Sequence, residues 1–192
     1  MSSSTDIVVV SGLPRSGTSM MMRMIEAAGV PALTDGRRTP DEDNPLGYYE
    51  LEAVKTTRAD ASWVAGARGK VVKVIHLLLR DMPPGERYRV VFMRRDLDEV
   101  LASQRKMLER SGRKGGALPA DALRRQYEAQ LREIDAFLDS RPGFSRLDIG
   151  YNTLLADPRP QATALARFLE LPDAAERMIA AIDPSLYRNR KP

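Results

Sequence analysis

The sequence predicts an α/β protein, a three-layer α/β/α sandwich around a mainly parallel sheet. Three observations carry that expectation. Four short apolar runs rich in β-branched and aromatic residues recur along the chain. Helical patterns lie between them, and strands alternating with helices imply parallel βαβ units. The first strand, Ile7 to Val10, opens into a Gly/Pro loop that runs straight into a helical pattern. At 192 residues, with 43% hydrophobic and 29% charged residues, the chain is expected to form one domain over residues 1–192 with a sizeable core.

The elements follow in order. After the loop, Met20 to Ala28 is helical and stops at Gly29, with Met21, Met24, Ile25 and Ala28 on one face. The stretch from Pro31 to Gly47 has no periodicity and reads as a long functional loop. Glu50 to Val64, which holds the only tryptophan, reads as a helix. A second strand spans Lys70 to Leu77, and a third, Arg89 to Met93, ends in Arg94-Arg95. Asp96 is an N-cap with its capping-box partner at Glu99, opening a helix to Arg110. A basic, Gly-rich connector (112–119) leads to an amphipathic helix from Asp121 to Leu138. The fourth strand is Phe144 to Ile149. Two helices close the chain, Gln161 to Leu169 and Asp173 to Ile182.

The loop carries the chemistry. Strand, glycine loop and helix N-terminus together present backbone N–H groups and a positive dipole end to a phosphate. The spacing Gly12-x4-Gly17 followed by Ser19 matches a Walker A loop, so the fold is expected to be P-loop NTPase-like. Thr18, however, stands where that motif has its lysine, and Arg15 is the only cation in the loop. In a parallel sheet, ligands lie at the carboxyl ends of the strands, which selects Arg94, Arg95, His76, Gly150 and Tyr151 as neighbours of the loop.

Pro14-Arg15-Ser16-Gly17-Thr18 resembles the 5′-phosphosulfate loop of sulfotransferases that use 3′-phosphoadenosine 5′-phosphosulfate (PAPS). A second stretch, Arg95 to Ser103, is similar to that family's 3′-phosphate motif, an arginine at a strand end and a serine eight residues later. A third, Tyr151-Asn152-Thr153-Leu154 through Asp157-Pro158, resembles the segment whose tyrosine contacts the nucleotide. The resemblance implies that Pro14, Arg15, Ser16, Gly17, Thr18, Ser19, Arg95, Ser103 and Tyr151 bind PAPS as co-substrate, with no metal. Arg15 would act electrostatically, with the amides of Ser16 to Ser19, on charge developing in transfer to a hydroxyl or amine. His76 in Lys73-Val74-Ile75-His76-Leu77 resembles the catalytic base of a Lys-Thr-His-Leu-Pro segment, although the spacing here is longer by one. Glu50, after Tyr48-Tyr49, is the rival base, and Lys73 would assist either. The chain lacks the Arg-Lys-Gly…Gly-Asp-Trp segment that also clasps the 3′-phosphate in cytosolic members, and the basic end at 187–191 is the candidate substitute.

Composition limits the alternatives. With no cysteine, disulfides and thiolate chemistry are excluded, and with one histidine so is a multi-histidine metal site. The net charge of +4 is modest and spread out, so nucleic acid is not the first inference, and the excess suits a small anionic ligand about as well. No apolar run approaches the ~18 residues of a membrane span, and no secretory signal pattern opens the chain, so a cytoplasmic location is expected. The acceptor, a small molecule, sugar or lipid, is not encoded in any motif. A second subunit could complete so short a chain as a homodimer. The competing readings are a P-loop kinase or NTP hydrolase, with Asp148 as the nearest magnesium ligand, and a non-catalytic nucleotide-binding domain.

Overall fold

The computed structural model describes residues 5–39, 41, 44, 47–110, 118–183 and 185. Most of the 112–119 connector and the basic end at 187–191 lie outside these residues. Four strands form one parallel sheet: β1 (Ile7–Gly12), β2 (Val71–Lys73), β3 (Tyr88–Arg94) and β4 (Phe144–Gly150), in the order β2-β1-β3-β4. β1 is buried at every position, as a central parallel strand must be.

Side-chain alternation on β1 splits the core into two layers. Val8 and Val10 face α1 (Thr18–Ala27) and, with it, α4 (Tyr151–Ala156), α5 (Pro158–Phe168) and α6 (Ala175–Ala180). Ile7 and Val9 face the opposite layer, built from α3 (Ala120–Ser140) and short 3₁₀ turns at Glu52–Thr56, Ser62–Ala67 and His76–Asp81. The remaining helix, α2 (Leu97–Arg110), leans on α3 through a third cluster of Leu13, Val100, Leu101 and Tyr127. Leu13 belongs to the glycine loop, so this cluster ties the loop to α2. The three-layer α/β/α sandwich with a parallel sheet is therefore the observed architecture.

Helix α4 is additional to the sequence reading, α6 is shorter than the expected Asp173 to Ile182, and two further elements differ in kind or length. The helix expected over Glu50 to Val64 is two separate 3₁₀ turns. Thr56 and Thr57 hydroxyls donate to the carbonyls of Ala53 (3.1 Å) and Val54 (2.7 Å), and Ser62 N–H donates to the Asp60 carboxylate (2.9 Å). Such local bonds compete with a continuous helix. The second strand is also shorter than Lys70 to Leu77. It pairs only from Val71 to Lys73, then turns at Ile75 (φ −63°, ψ 148°) into the 3₁₀ turn that holds His76. No described helix is long and apolar enough to cross a membrane.

The register brings the functional candidates to one edge. Val10 lies opposite Lys73, Gly12 opposite Met93, and Arg94 opposite Gly150. The glycine loop, Lys73, Arg95 and Tyr151 thus leave the sheet side by side at its carboxyl ends.

Candidate active site

The loop after β1 is built from two glycines that nothing else can replace. A Cβ on Gly12 would lie 2.6 Å from Ser16 Oγ and 2.8 Å from the Met93 carbonyl. A Cβ on Gly17 (φ 96°) would lie 2.4 Å from the Tyr151 ring. Gly17 is also the N-cap of α1 and offers no side-chain cap, so the first amides of that helix point outward for a ligand. Ser16 is different: it is buried, its hydroxyl donates to Leu13 O (2.7 Å), and its N–H donates there too (3.2 Å). The amide array expected from Ser16 to Ser19 therefore starts at Gly17, because Ser16 N–H closes the turn.

Arg15 sits in the left-handed region (φ 68°), a conformation that costs a non-glycine residue about 1–3 kcal/mol. What holds it there is a pair of contacts. Its Nε donates to Ser103 Oγ (2.9 Å), and its carbonyl accepts from Arg95 Nη1 (2.9 Å). Arg95 in turn pairs with Glu99 (3.0 Å) and stacks over the Tyr151 ring (4.3 Å). Glu99 also accepts from Asn152 Nδ2 (3.0 Å), and its N–H donates to the Asp96 carboxylate (3.4 Å). The same carboxylate accepts from Asp98 N–H (2.9 Å). Three motifs far apart in sequence, at residues 12–19, 95–103 and 151–152, are one hydrogen-bonded unit.

A cavity of about 470 Å³ opens over this unit. Pro14, Arg15, Gly17, Thr18, Ser19, Arg95, Ser103, Tyr151, Glu50 and Lys73 all line it. So do Arg23, Arg38, Lys106 and Arg110, giving, among the described residues, seven cationic side chains against two carboxylates, Glu50 and Asp183. A cavity so charged suits a multiply charged anion. Lys73 Nζ donates to Tyr48 O (2.9 Å) and lies 3.4 Å from Ser19 Oγ. Burial pulls its pKa down to about 8, with Arg38 and Arg15 adding to the effect and Glu50 opposing it. Glu50 accepts from Arg38 Nη1 (2.7 Å), and Arg38 lies over the Tyr48 ring (3.3 Å). Tyr48 donates to Asp41 (2.6 Å), and burial with that bond pushes its pKa up to about 12. Asn44 Nδ2 donates to Ser19 Oγ (2.8 Å), which ties Asn44 to the first turn of α1.

His76 is placed elsewhere. It is 2% exposed, does not line the cavity, and its Nε2 lies 3.0 Å from Gln130 Oε1 on α3. Burial lowers its pKa. The extra residue between Lys73 and His76 explains the difference. It adds a step in which Ile75 takes the outward position (43% exposed) and His76 turns inward. Trp63 is half-buried against the core and donates to Thr57 Oγ1 (3.0 Å). Among the described residues no group of three or more His, Asp or Glu could hold a metal ion.

Sequence reasoning did not single out Arg23, Arg38, Lys106, Arg110 or Asp183. For three of them a signal exists. Arg23 follows Ser19 by four residues on α1, and Lys106 and Arg110 follow Ser103 by three and seven on α2, spacings that share a helix face.

A glycine loop between a parallel strand and a helix, at the carboxyl edge of an α/β/α sandwich, places the chain among P-loop-like α/β folds. Comparison with solved structures narrows the likeness to sulfotransferase domains. The sulfotransferase domain from the curacin biosynthetic pathway is similar at a TM-score of 0.56 and 17% identity, over 96% of this chain and 86% of that one. The sulfotransferase domain of the Synechococcus PCC 7002 olefin synthase gives 0.53 and 15%, over 95% and 82%. Retinol dehydratase, in complex with androsterone and the inactive cofactor PAP, gives 0.51 and 17%, over 96% and 66%. No protein-family model matches the sequence, and no curated protein is similar to it. At these identities the likeness is one of fold: the chain has the fold of sulfotransferase domains.

Proposed function

We propose that this protein is a PAPS-dependent sulfotransferase, acting as a single domain on a hydroxyl or amine acceptor without a metal. The observation that carries the reading is the joining of loop, arginine, serine and tyrosine motifs through Arg15 into one cationic cavity. PAPS supplies an activated sulfuryl group whose bond to the 5′-phosphate breaks as the acceptor oxygen or nitrogen attacks sulfur. The N–H groups of Gly17, Thr18 and Ser19 and the Arg15 guanidinium hold the charge that grows on the leaving phosphate. Arg15 keeps its proton, so it stabilises charge without acting as a general acid. Lys73, from the neighbouring strand, adds the cation that Thr18 does not supply. Arg95 with Ser103 and the Tyr151 ring would receive the 3′-phosphate and nucleotide.

The acceptor's proton goes to Glu50. Its carboxylate lines the cavity, and the Arg38 ion pair orients it. His76, behind the cavity wall, serves as a packing and orienting residue against α3. The kinase reading loses its magnesium ligand, because Asp148 is engaged by Arg94 (2.9 Å) and Arg146 (3.3 Å) outside the cavity.

Thermal unfolding tests the reading. At one hundred times its Kd, a ligand adds about 2.7 kcal/mol. For a chain of this length that corresponds to a rise in Tm of about 5–10 °C. Adenosine 3′,5′-bisphosphate should produce this rise, and AMP or ATP with Mg²⁺ should not. A rise with ATP and Mg²⁺ alone would move the assignment to a kinase.

A further inference from the structure

We infer that the acceptor carries its own negative charge, held by Lys106 and Arg110 on the C-terminal half of α2. The inference rests on the sulfotransferase reading and names the substrate class of that same site. Helix α2 fixes the layout. Its N-terminal end is bound to the Tyr151 side of the cavity, through Arg95 over the Tyr151 ring and Glu99 to Asn152. Its middle reaches the glycine loop, where Ser103 accepts from Arg15. Beyond Ser103 the helix runs on for seven residues, about 10 Å at 1.5 Å per residue.

On that extension Lys106, Met107 and Arg110 line the cavity, at three, four and seven residues past Ser103 and so on its face. They sit toward the C-terminal end of α2, whereas the Arg95–Tyr151 contact lies at its N-terminal end. Lys106 and Arg110 are exposed. Leu13, Val74, Ile75 and Met107 give the cavity apolar lining as well. Ile75 and Leu77 stand out at 43% and 52% exposure on the segment after β2. Two cations in a cavity with apolar lining suit an amphiphile whose reacting hydroxyl reaches Glu50 while an anionic group, phosphate or carboxylate, docks on α2.

The test uses the full chain saturated with adenosine 3′,5′-bisphosphate and two probes, 6-hydroxyhexyl phosphate and 1,6-hexanediol. Calorimetry should show the phosphate binding at least tenfold more tightly than the diol. The double variant Lys106→Gln, Arg110→Gln should abolish that preference while holding adenosine 3′,5′-bisphosphate affinity within threefold. Equal binding of the two probes to wild type, or a preference that survives in the variant, overturns the inference. So does a tenfold loss of nucleotide affinity in the variant, which would assign the two cations to the nucleotide. Failure of adenosine 3′,5′-bisphosphate to bind wild type at all would instead sink the sulfotransferase reading itself.

Discussion

The Arg95–Glu99 pair offers the sharpest check on how the site is held. The Arg95 side chain is 7% exposed and that of Glu99 is 3%, and their nitrogen and oxygen lie 3.0 Å apart. Arg95→Met removes the cation and leaves the Glu99 carboxylate buried. Breaking a buried pair from one side costs about 3–5 kcal/mol, because the remaining charge has lost its compensation. The Asn152 bond to Glu99 softens the loss, while the lost bond to Arg15 O and the stacking on Tyr151 add to it. The expected deficit is therefore about 3–5 kcal/mol, a third or more of a typical total stability. The double variant Arg95→Met, Glu99→Gln removes both charges and should recover most of it.

Urea unfolding followed by the fluorescence of Trp63, the one tryptophan, gives both numbers, provided the m-values stay equal. A single variant that loses less than 1 kcal/mol, or a double variant no more stable than the single, would refute the reasoning. The rescued double variant also isolates binding from folding. It should lose the preference for adenosine 3′,5′-bisphosphate over AMP by about tenfold or more, since charge-assisted bonds contribute ~1.5–3 kcal/mol each.

Gly17→Ala should destabilise the fold by about 2–4 kcal/mol, because its Cβ meets the Tyr151 ring at 2.4 Å in a left-handed backbone; unchanged urea midpoints would contradict that packing. Glu50→Gln should lower turnover by roughly 10²-fold with nucleotide affinity retained, whereas His76→Gln should act mainly on stability; the reverse pattern would return the base to His76. Lys73 is protonated below its pKa of about 8 and neutral above it. Affinity for adenosine 3′,5′-bisphosphate should therefore fall as pH rises through 8, and Lys73→Arg should flatten that limb; a wild-type affinity independent of pH from 7 to 9.5 would remove Lys73 from the site.

Much of this was legible in the residues because local and tertiary signals agree there. The β-branched run at Ile7 to Val10, the glycines at 12 and 17, and the Arg95–Ser103 interval each have a backbone reason as well as a chemical one. β2 and the 50–64 stretch were less legible. The mostly apolar stretch from Lys70 to Leu77 does not say where pairing stops, and hydroxyl side chains broke the 50–64 pattern through bonds to their own backbone. His76 shows the limit most clearly. Its neighbours Ile75 and Leu77 are apolar and exposed while the histidine is buried, an inversion of the polarity that sequence patterning relies on. Arg38 lies in a stretch with no period to read, and its place over Tyr48 follows from tertiary contacts alone.

The strained conformation of Arg15 ties these points together. A loop that kept a lysine at position 18 would carry its cation on the helix and would need no arginine in the left-handed region. With threonine there, the cation comes from the turn itself. The Arg15 side chain is then directed to Ser103 while its carbonyl faces Arg95. The strain of about 1–3 kcal/mol is offset by two hydrogen bonds involving charged groups, each of comparable size. Both partners lie on the strand-to-helix segment that the resemblance assigns to the 3′-phosphate. Any ligand that draws Arg95 or Ser103 toward itself therefore acts on Arg15 through a single bond. Under the proposed function, recognition of the nucleotide's 3′ end and positioning of the Arg15 cation would be the same structural event.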